Sequence, residues 1–148
     1  MIELLKALAA RPSISGEEKE VAQYLETWLC SQGLRPFRVG NNLFCLKGSG
    51  PAVLLDAHMD TVKPADGWTR DPFAPSLEDG RLYGLGVSDD GGSLVALTHA
   101  FLNANPKRHT LVLSLSAQEE NSGADGFSAA LPRSLQLRGE TEGLTTLK

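Results

Sequence analysis

Apolar residues recur along this chain with two different periods, and each period predicts an element. "IELLKALAA" at residues 2–10 reads as a short helix that stops before Pro12. Ser15 and Glu18 then form a capping-box pattern. Behind it Val21, Leu25, Trp28 and Leu29 fall on one helical face, with Gly33 as the stop. "RPFRV" and "LFCLK" read as strands joined through Gly40-Asn41-Asn42, a turn signal. "AVLLDA" is a continuous apolar run, suited to a strand covered on both faces. Residues 61 to 79 show no period and read as irregular. "RLYGLG" reads as a further strand. A helix is expected from about Gly91, with Leu94, Leu97 and Phe101 on one face, ending by Asn105-Pro106. "TLVLSLSA" is the next buried strand, "ADGFSAAL" a helix, and "LQL" a short strand.

Strand, helix, strand, helix in this order implies crossover connections. The expected class is α/β, a mostly parallel sheet flanked by helices. In such sheets, sites form beyond the carboxyl ends of the strands, so polar residues there carry the most information.

Composition narrows the field. The 148 residues make one ordinary domain, and 41% hydrophobic with 22% charged content is that of a globular chain with a sizeable core. Net charge is −4 and no Lys/Arg block occurs, which argues against a nucleic-acid partner. The amino-terminal apolar run is too short for an export signal or a membrane span, and Glu3 interrupts it. Cys30 and Cys45 are isolated. They fit reduced thiols in a cytoplasmic protein and are expected to be small buried hydrophobes.

Candidate chemistry lies where the chain leaves its elements. His58 and Asp60 follow "AVLLDA". Asp89 and Asp90 precede the helix at 91. Glu119 and Glu120 follow "TLVLSLSA", and Glu140 follows "LQL". Residues two apart in extended chain share a side, so Asp60 can accept the second ring N–H of a metal-bound His58. His58 can equally be a satisfied loop histidine. Asp89 and Asp90 suit a bound cation, and equally a helix start where the dipole favours negative charge. Glu119-Glu120 can be a solvated surface pair. Beside His58, one carboxylate can ligate a metal while the other takes a proton from water. "GLGVSDDGG" is not a dinucleotide fingerprint, because Asp89 stands at its third glycine position and repels a pyrophosphate. No Gly-x-Ser-x-Gly elbow is present. His99 and His109 read as structural or exposed. Trp68 and Phe73 read as packing residues, with a substrate cleft as the other role.

Taken together, "HMDTV", "DGWTRDPF", "DGRLYGLGVSDDGG" and "SAQEENSGADG" resemble the motifs of the M20 family of zinc peptidases and deacylases. The branch most resembled is that of acetylornithine deacetylase, an enzyme of arginine biosynthesis. The resemblance covers roughly residues 1 to 132. It implies a metal-dependent amide hydrolase that removes the acyl group from an N-acylated amino acid or cleaves a short peptide. It implies two zinc ions, which cobalt or manganese can replace. By resemblance His58 binds the first zinc and Asp60 orients it. Asp89 bridges the two ions, Glu120 binds the second, and Glu119 is the general base. "GETE" looks like a degraded form of the family's Gly-Glu-Pro-Thr segment, which would place Glu140 at the first zinc. Asp90-Gly91 departs from the Met-Lys that many relatives carry there.

Family members are longer. The resemblance therefore implies that residues 1–148 are the N-terminal portion of an M20-type catalytic domain. The lid or dimerisation domain and the returning segment with a last zinc-binding histidine would be absent. A chain holding this portion alone is expected to be able to self-associate through uncovered sheet edges. Two other readings stand beside the enzyme. One is a non-catalytic fragment or metal-binding scaffold that keeps half of the site. The other is a metal-free α/β binding module.

Overall fold

The computed structural model describes residues 1–136, with side chains to residue 131. Within them a four-stranded sheet of order β1-β2-β6-β3 is built from β1 (Phe37–Val39), β2 (Asn42–Gly48), β3 (Ala52–His58) and β6 (Thr110–Ser116). A separate two-stranded sheet pairs β4 (Ser76–Glu78) with β5 (Arg81–Tyr83). The helices are α1 (Ile2–Ala9), α2 (Lys19–Ser31), α3 (Gly91–Asn103) and α4 (Phe127–Gln136).

The α/β class with a helix-flanked sheet holds, and connection length decides each pairing. β3 and β6 are parallel, with Leu54 opposite Val112 and His58 opposite Ser116, because the chain between them has room for the α3 crossover. β1 and β2 are antiparallel across a tight turn, and β2 pairs antiparallel with β6. Parallel pairing is thus confined to the β3–β6 pair among the described residues. That pair aligns the carboxyl ends of the two strands that carry the candidate residues.

Alternation along the strands builds two cores. Leu43, Cys45, Ala57, Leu113 and Leu115 face a cluster formed with Leu4, Leu8, Val21, Leu25, Leu29, Leu94 and Phe101 of α1, α2 and α3. Phe44 and Val112 face the other side, where Ala130 and Leu131 of α4 cover them and Phe37 stacks on Phe44 at 5.4 Å. Successive strand residues point to opposite faces, so one strand feeds both clusters. Phe44 and Leu25 are fully buried.

Several local expectations change. Residues 61–79 are not wholly irregular: 76–78 form β4, three residues being too short for a period to show. The capping box does not form. Helix α2 starts at Lys19, the Ser15 hydroxyl donates to Asp60 Oδ2 at 2.6 Å, and Glu18 accepts from the Gly16 N–H instead. Tertiary partners outbid the local cap. Cys45 is buried but Cys30 is exposed, since it falls off the apolar face of α2; no disulfide joins them. Residues 135 and 136 continue α4, so the expected strand at "LQL" does not start there. Glu140 lies outside the described residues. No helix among the described residues is long and apolar enough to cross a membrane.

Candidate metal centre

The rim where β3 and β6 end collects His58, Asp60, Asp89, Asp90, Glu119 and Glu120, six of the seven candidate residues. His58 is the last residue of β3 and is 8% exposed. Its Nδ1 lies 3.0 Å from the backbone oxygen of Asp60 and 3.4 Å from Asp60 Oδ1. A carbonyl oxygen can only accept, so Nδ1 carries the hydrogen and Nε2 is left as the outward donor atom. Nε2 lies 3.1 Å from Asp89 Oδ1 and 3.9 Å from Glu119 Oε2. One ligand atom each from His58, Asp89 and Glu120 lie within 4.8 Å of one another, which is a spacing that can hold a metal ion.

Asp60 does more than a His-x-Asp spacing suggests. It is 1% exposed, and both oxygens are committed. Oδ1 accepts the Glu119 N–H at 3.1 Å, and Oδ2 accepts the Glu120 N–H at 3.1 Å as well as the Ser15 hydroxyl. One carboxylate therefore holds the backbone of the two glutamates while its own carbonyl fixes the imidazole. Burial alone would push Asp60 toward its neutral form. Hydrogen bonds from His58, Ser15 and the Glu119 and Glu120 N–H groups outweigh it and hold Asp60 down at about 2.

Asp89 reaches the rim from the loop before α3, and it is exposed. The Asp89–Asp90 peptide is cis. The Gly91 N–H bonds to the Gly86 carbonyl at 2.9 Å, and a Cβ at Gly91 would meet that oxygen at 2.5 Å. Gly86 has φ +73°, and a Cβ there would strike Thr61 Cγ2 at 2.6 Å. The glycines of "GLGVSDDGG" thus let this loop fold tightly against the strand end. Asp90 is turned inward, with Oδ2 accepting the His58 N–H at 3.3 Å. It is the N-cap residue of α3, yet its side chain makes no cap bond. Simple capping does not account for the pair.

The charges at the rim are in excess and call for a cation. His58 is raised to about 9, first by its bond to Asp60, against the pull of burial, and then by Asp89. Burial pushes Glu120 up, and the charge of Asp89 adds to it. A proton on Nε2 answers part of this charge in the metal-free chain. A divalent ion would answer more of it, through one imidazole and two carboxylates, a donor set suited to zinc with positions left open.

A cleft of about 220 Å³ opens from Asp89 and Glu120 along Thr61, Val62, Val87 and Trp68. Trp68 is 40% exposed on it, a wall of the cleft rather than a core residue. Phe73 instead lines a small apolar pocket behind His58 with Leu8 and Leu94. His99 and His109 are exposed and remote from the rim, His99 lying against Asn103 of the same helix. Reading the sequence missed Glu18 and Asn42, both fully buried polar residues beside the rim. The Asn-Asn pair was visible only as a turn signal and Glu18 only as a capping partner.

Known proteins match this chain at the level of sequence and of fold. A succinyl-diaminopimelate desuccinylase of Bordetella avium is 34% identical over 151 aligned positions, covering 95% of this chain and 40% of its own length. That of Acidiphilium cryptum is 35% identical, covering 84% of the chain and 34% of its own length. The chain thus spans well under half of these relatives. Among solved structures, the Saccharomyces cerevisiae dipeptidase Dug1p superposes with a TM-score of 0.65 at 20% identity, over 95% of this chain and 35% of its own. A Bacillus subtilis protein described as a dinuclear metal binding peptidase superposes with a TM-score of 0.62 at 21% identity, over 97% and 40%. The family model for peptidase family M20/M25/M40 matches residues 54–143, from the middle of β3 onward through every candidate residue, and the chain belongs to that family.

Proposed function

We propose that this chain carries the metal-binding part of an M20 catalytic domain that hydrolyses the amide bond of an N-acylated amino acid. The observation that carries the reading is the strand-end geometry of His58. Its Nδ1 is tied to the Asp60 carbonyl at 3.0 Å, which leaves Nε2 facing Asp89, Glu119 and Glu120. Family membership and relatives named as desuccinylases support it.

His58, Asp89 and Glu120 would hold a divalent cation, zinc foremost, with cobalt or manganese as substitutes. The Bacillus subtilis protein described as a dinuclear metal binding peptidase supports room for a second ion, which Asp89 would help to hold. A metal bound there supplies Lewis acidity and makes hydroxide accessible near neutral pH. The protein groups do the rest. Asp60 locks the imidazole tautomer and the orientation of the ring. Glu119 is exposed, with its carboxylate 3.9 Å from Nε2, within reach of the rim. It takes the proton from the attacking water and returns it to the leaving amine nitrogen. The cleft along Val62 and Trp68 receives the substrate.

Two acyl groups separate the finer readings. The relatives at 34–36% identity favour a succinyl group on a diamino acid. The resemblance of "GWTRDPF" favours acetylornithine. Zinc titration of the 148-residue chain, followed by hydrolysis assays on N-succinyl-diaminopimelate and N-acetylornithine, tests both. Zinc uptake with turnover supports the enzyme, and the faster substrate names the branch. Zinc uptake without turnover supports the second reading, a metal-binding stretch that is inactive by itself. A chain that takes up no zinc overturns both.

A further inference from the structure

Four successive backbone N–H groups after β6 are each accepted by a side-chain oxygen from a distant part of the chain. Ala117 N–H bonds to Asn42 Oδ1 at 3.0 Å, and Gln118 N–H to Glu18 Oε1 at 3.1 Å. The next two, of Glu119 and Glu120, bond to the two oxygens of Asp60. We propose that Glu18 and Asn42 are positioning residues that, with Asp60, clamp residues 117–120 and thereby aim Glu119 and Glu120 at the rim. The proposal rests on the metal-centre reading for its consequence, and on the hydrogen bonds alone for its geometry.

The burial of these groups argues for a specific task. Glu18 and Asn42 are both 0% exposed. Burying a carboxylate is costly unless its oxygens are bonded, and an ordinary helix start needs no such group. Glu18 is the N-cap residue of α2, yet its side chain makes no cap bond. Oε1 accepts from Gly16 at 2.6 Å as well as from Gln118, and Oε2 accepts from Asn41 Nδ2 at 2.9 Å. Asn42 completes the frame, with Nδ2 donating to the carbonyls of Val39 at 3.1 Å and Asp125 at 2.8 Å. The clamp thus draws on the start of α2, the start of β2 and the end of β3.

The clamped loop has a reason to need holding. Gln118 sits at φ +57°, a left-handed conformation that a non-glycine residue keeps only when its surroundings over-determine it. Successive N–H groups turned into the protein leave the side chains of 119 and 120 for the rim. A displacement of about an ångström there would separate Glu120 from His58 and Asp89 and cost orders of magnitude in function.

Glu18→Ala and Glu18→Gln, read by Co2+ titration, by the visible absorption of the Co2+ complex and by amide hydrogen exchange, test the clamp. Glu18→Ala is expected to bind Co2+ about 10- to 100-fold more weakly than the unmutated chain, with an altered absorption band. Glu18→Gln keeps one neutral acceptor and is expected to fall between them. Exchange at Gln118 and Glu119 should rise in both variants while β2 and β6 stay protected. Should Glu18→Ala fail to fold, Glu18→Gln against the unmutated chain decides by the same readings. Equal Co2+ affinity, an unchanged band and unchanged exchange at Gln118 overturn the clamp. An unmutated chain that takes up no Co2+ sinks the metal reading, and the exchange data still judge the clamp.

Discussion

The rim at the end of β3 and β6 and the β4–β5 sheet each join charged side chains, and they use them in opposite ways. Beside the small sheet Arg70 makes a two-pronged ion pair with Glu78 and lies over the half-buried Tyr83 ring at 4.2 Å, with both charged partners exposed. The charges there satisfy each other, and solvent screens what remains. At the rim the carboxylate of Asp60 is buried and bonded to two backbone N–H groups besides the Ser15 and His58 side chains, and the neighbouring acids outnumber the single imidazole. The contrast teaches that acidic residues become a site where backbone donors immobilise them and where their charge is left uncompensated.

Four experiments break or sharpen this contrast. The largest effect is expected from Glu119→Gln, which keeps the shape of the side chain and removes its basicity. Zinc binding should persist, and turnover on the better substrate should fall by about 10²- to 10⁴-fold. Full activity would remove Glu119 from its assigned role. Asp60→Asn comes next, since an amide cannot accept with both of its ends. Zinc affinity should drop by about 10- to 100-fold, measured by competition with a chromophoric chelator. An unchanged affinity would make Asp60 a packing residue only.

The third effect is on stability against pH in the metal-free chain. His58 is raised from 6.5 to about 9, so its contribution is fully present below about 6.5 and is lost as pH rises through about 9. Asp60 is lowered from 3.8 to about 2, so its contribution is present above about 3.8 and is lost as pH falls through about 2. Urea midpoints of the chelator-treated chain should therefore decline from pH 6 to pH 9.5. A midpoint flat across that range would contradict the linkage at His58. The smallest effect belongs to the other region. Arg70→Ala should leave the zinc affinity and the urea midpoint unchanged, because its ion pair lies at the exposed surface. A clear loss of zinc affinity would join the two regions after all.

Much of the fold was legible because periodicity reports burial. The apolar faces of α2 and α3 and the run of β6 are where the pattern placed them, whereas β3, expected to be covered on both faces, lies at the edge of the described sheet with Val53 41% exposed. Elements of three residues, such as β4, carry too few positions to show a period. Pairing direction at β1–β2–β6 depended on which strand edges met, and that is not written in any one segment. His58, Asp60, Asp89, Glu119 and Glu120 were legible because the crossover rule brings strand ends together.

The amino-acid sequence by itself determined which residues are acids, imidazoles and apolar faces, and so the class of fold and the identity of five rim residues. Only tertiary structure decided that His58 is held by the carbonyl of Asp60, and that Asn42 and Glu18 grip the loop after β6. These are single hydrogen bonds between segments up to 100 residues apart. Local pattern records which surface of an element is buried. It does not record which distant backbone N–H a buried oxygen will meet once the elements have packed.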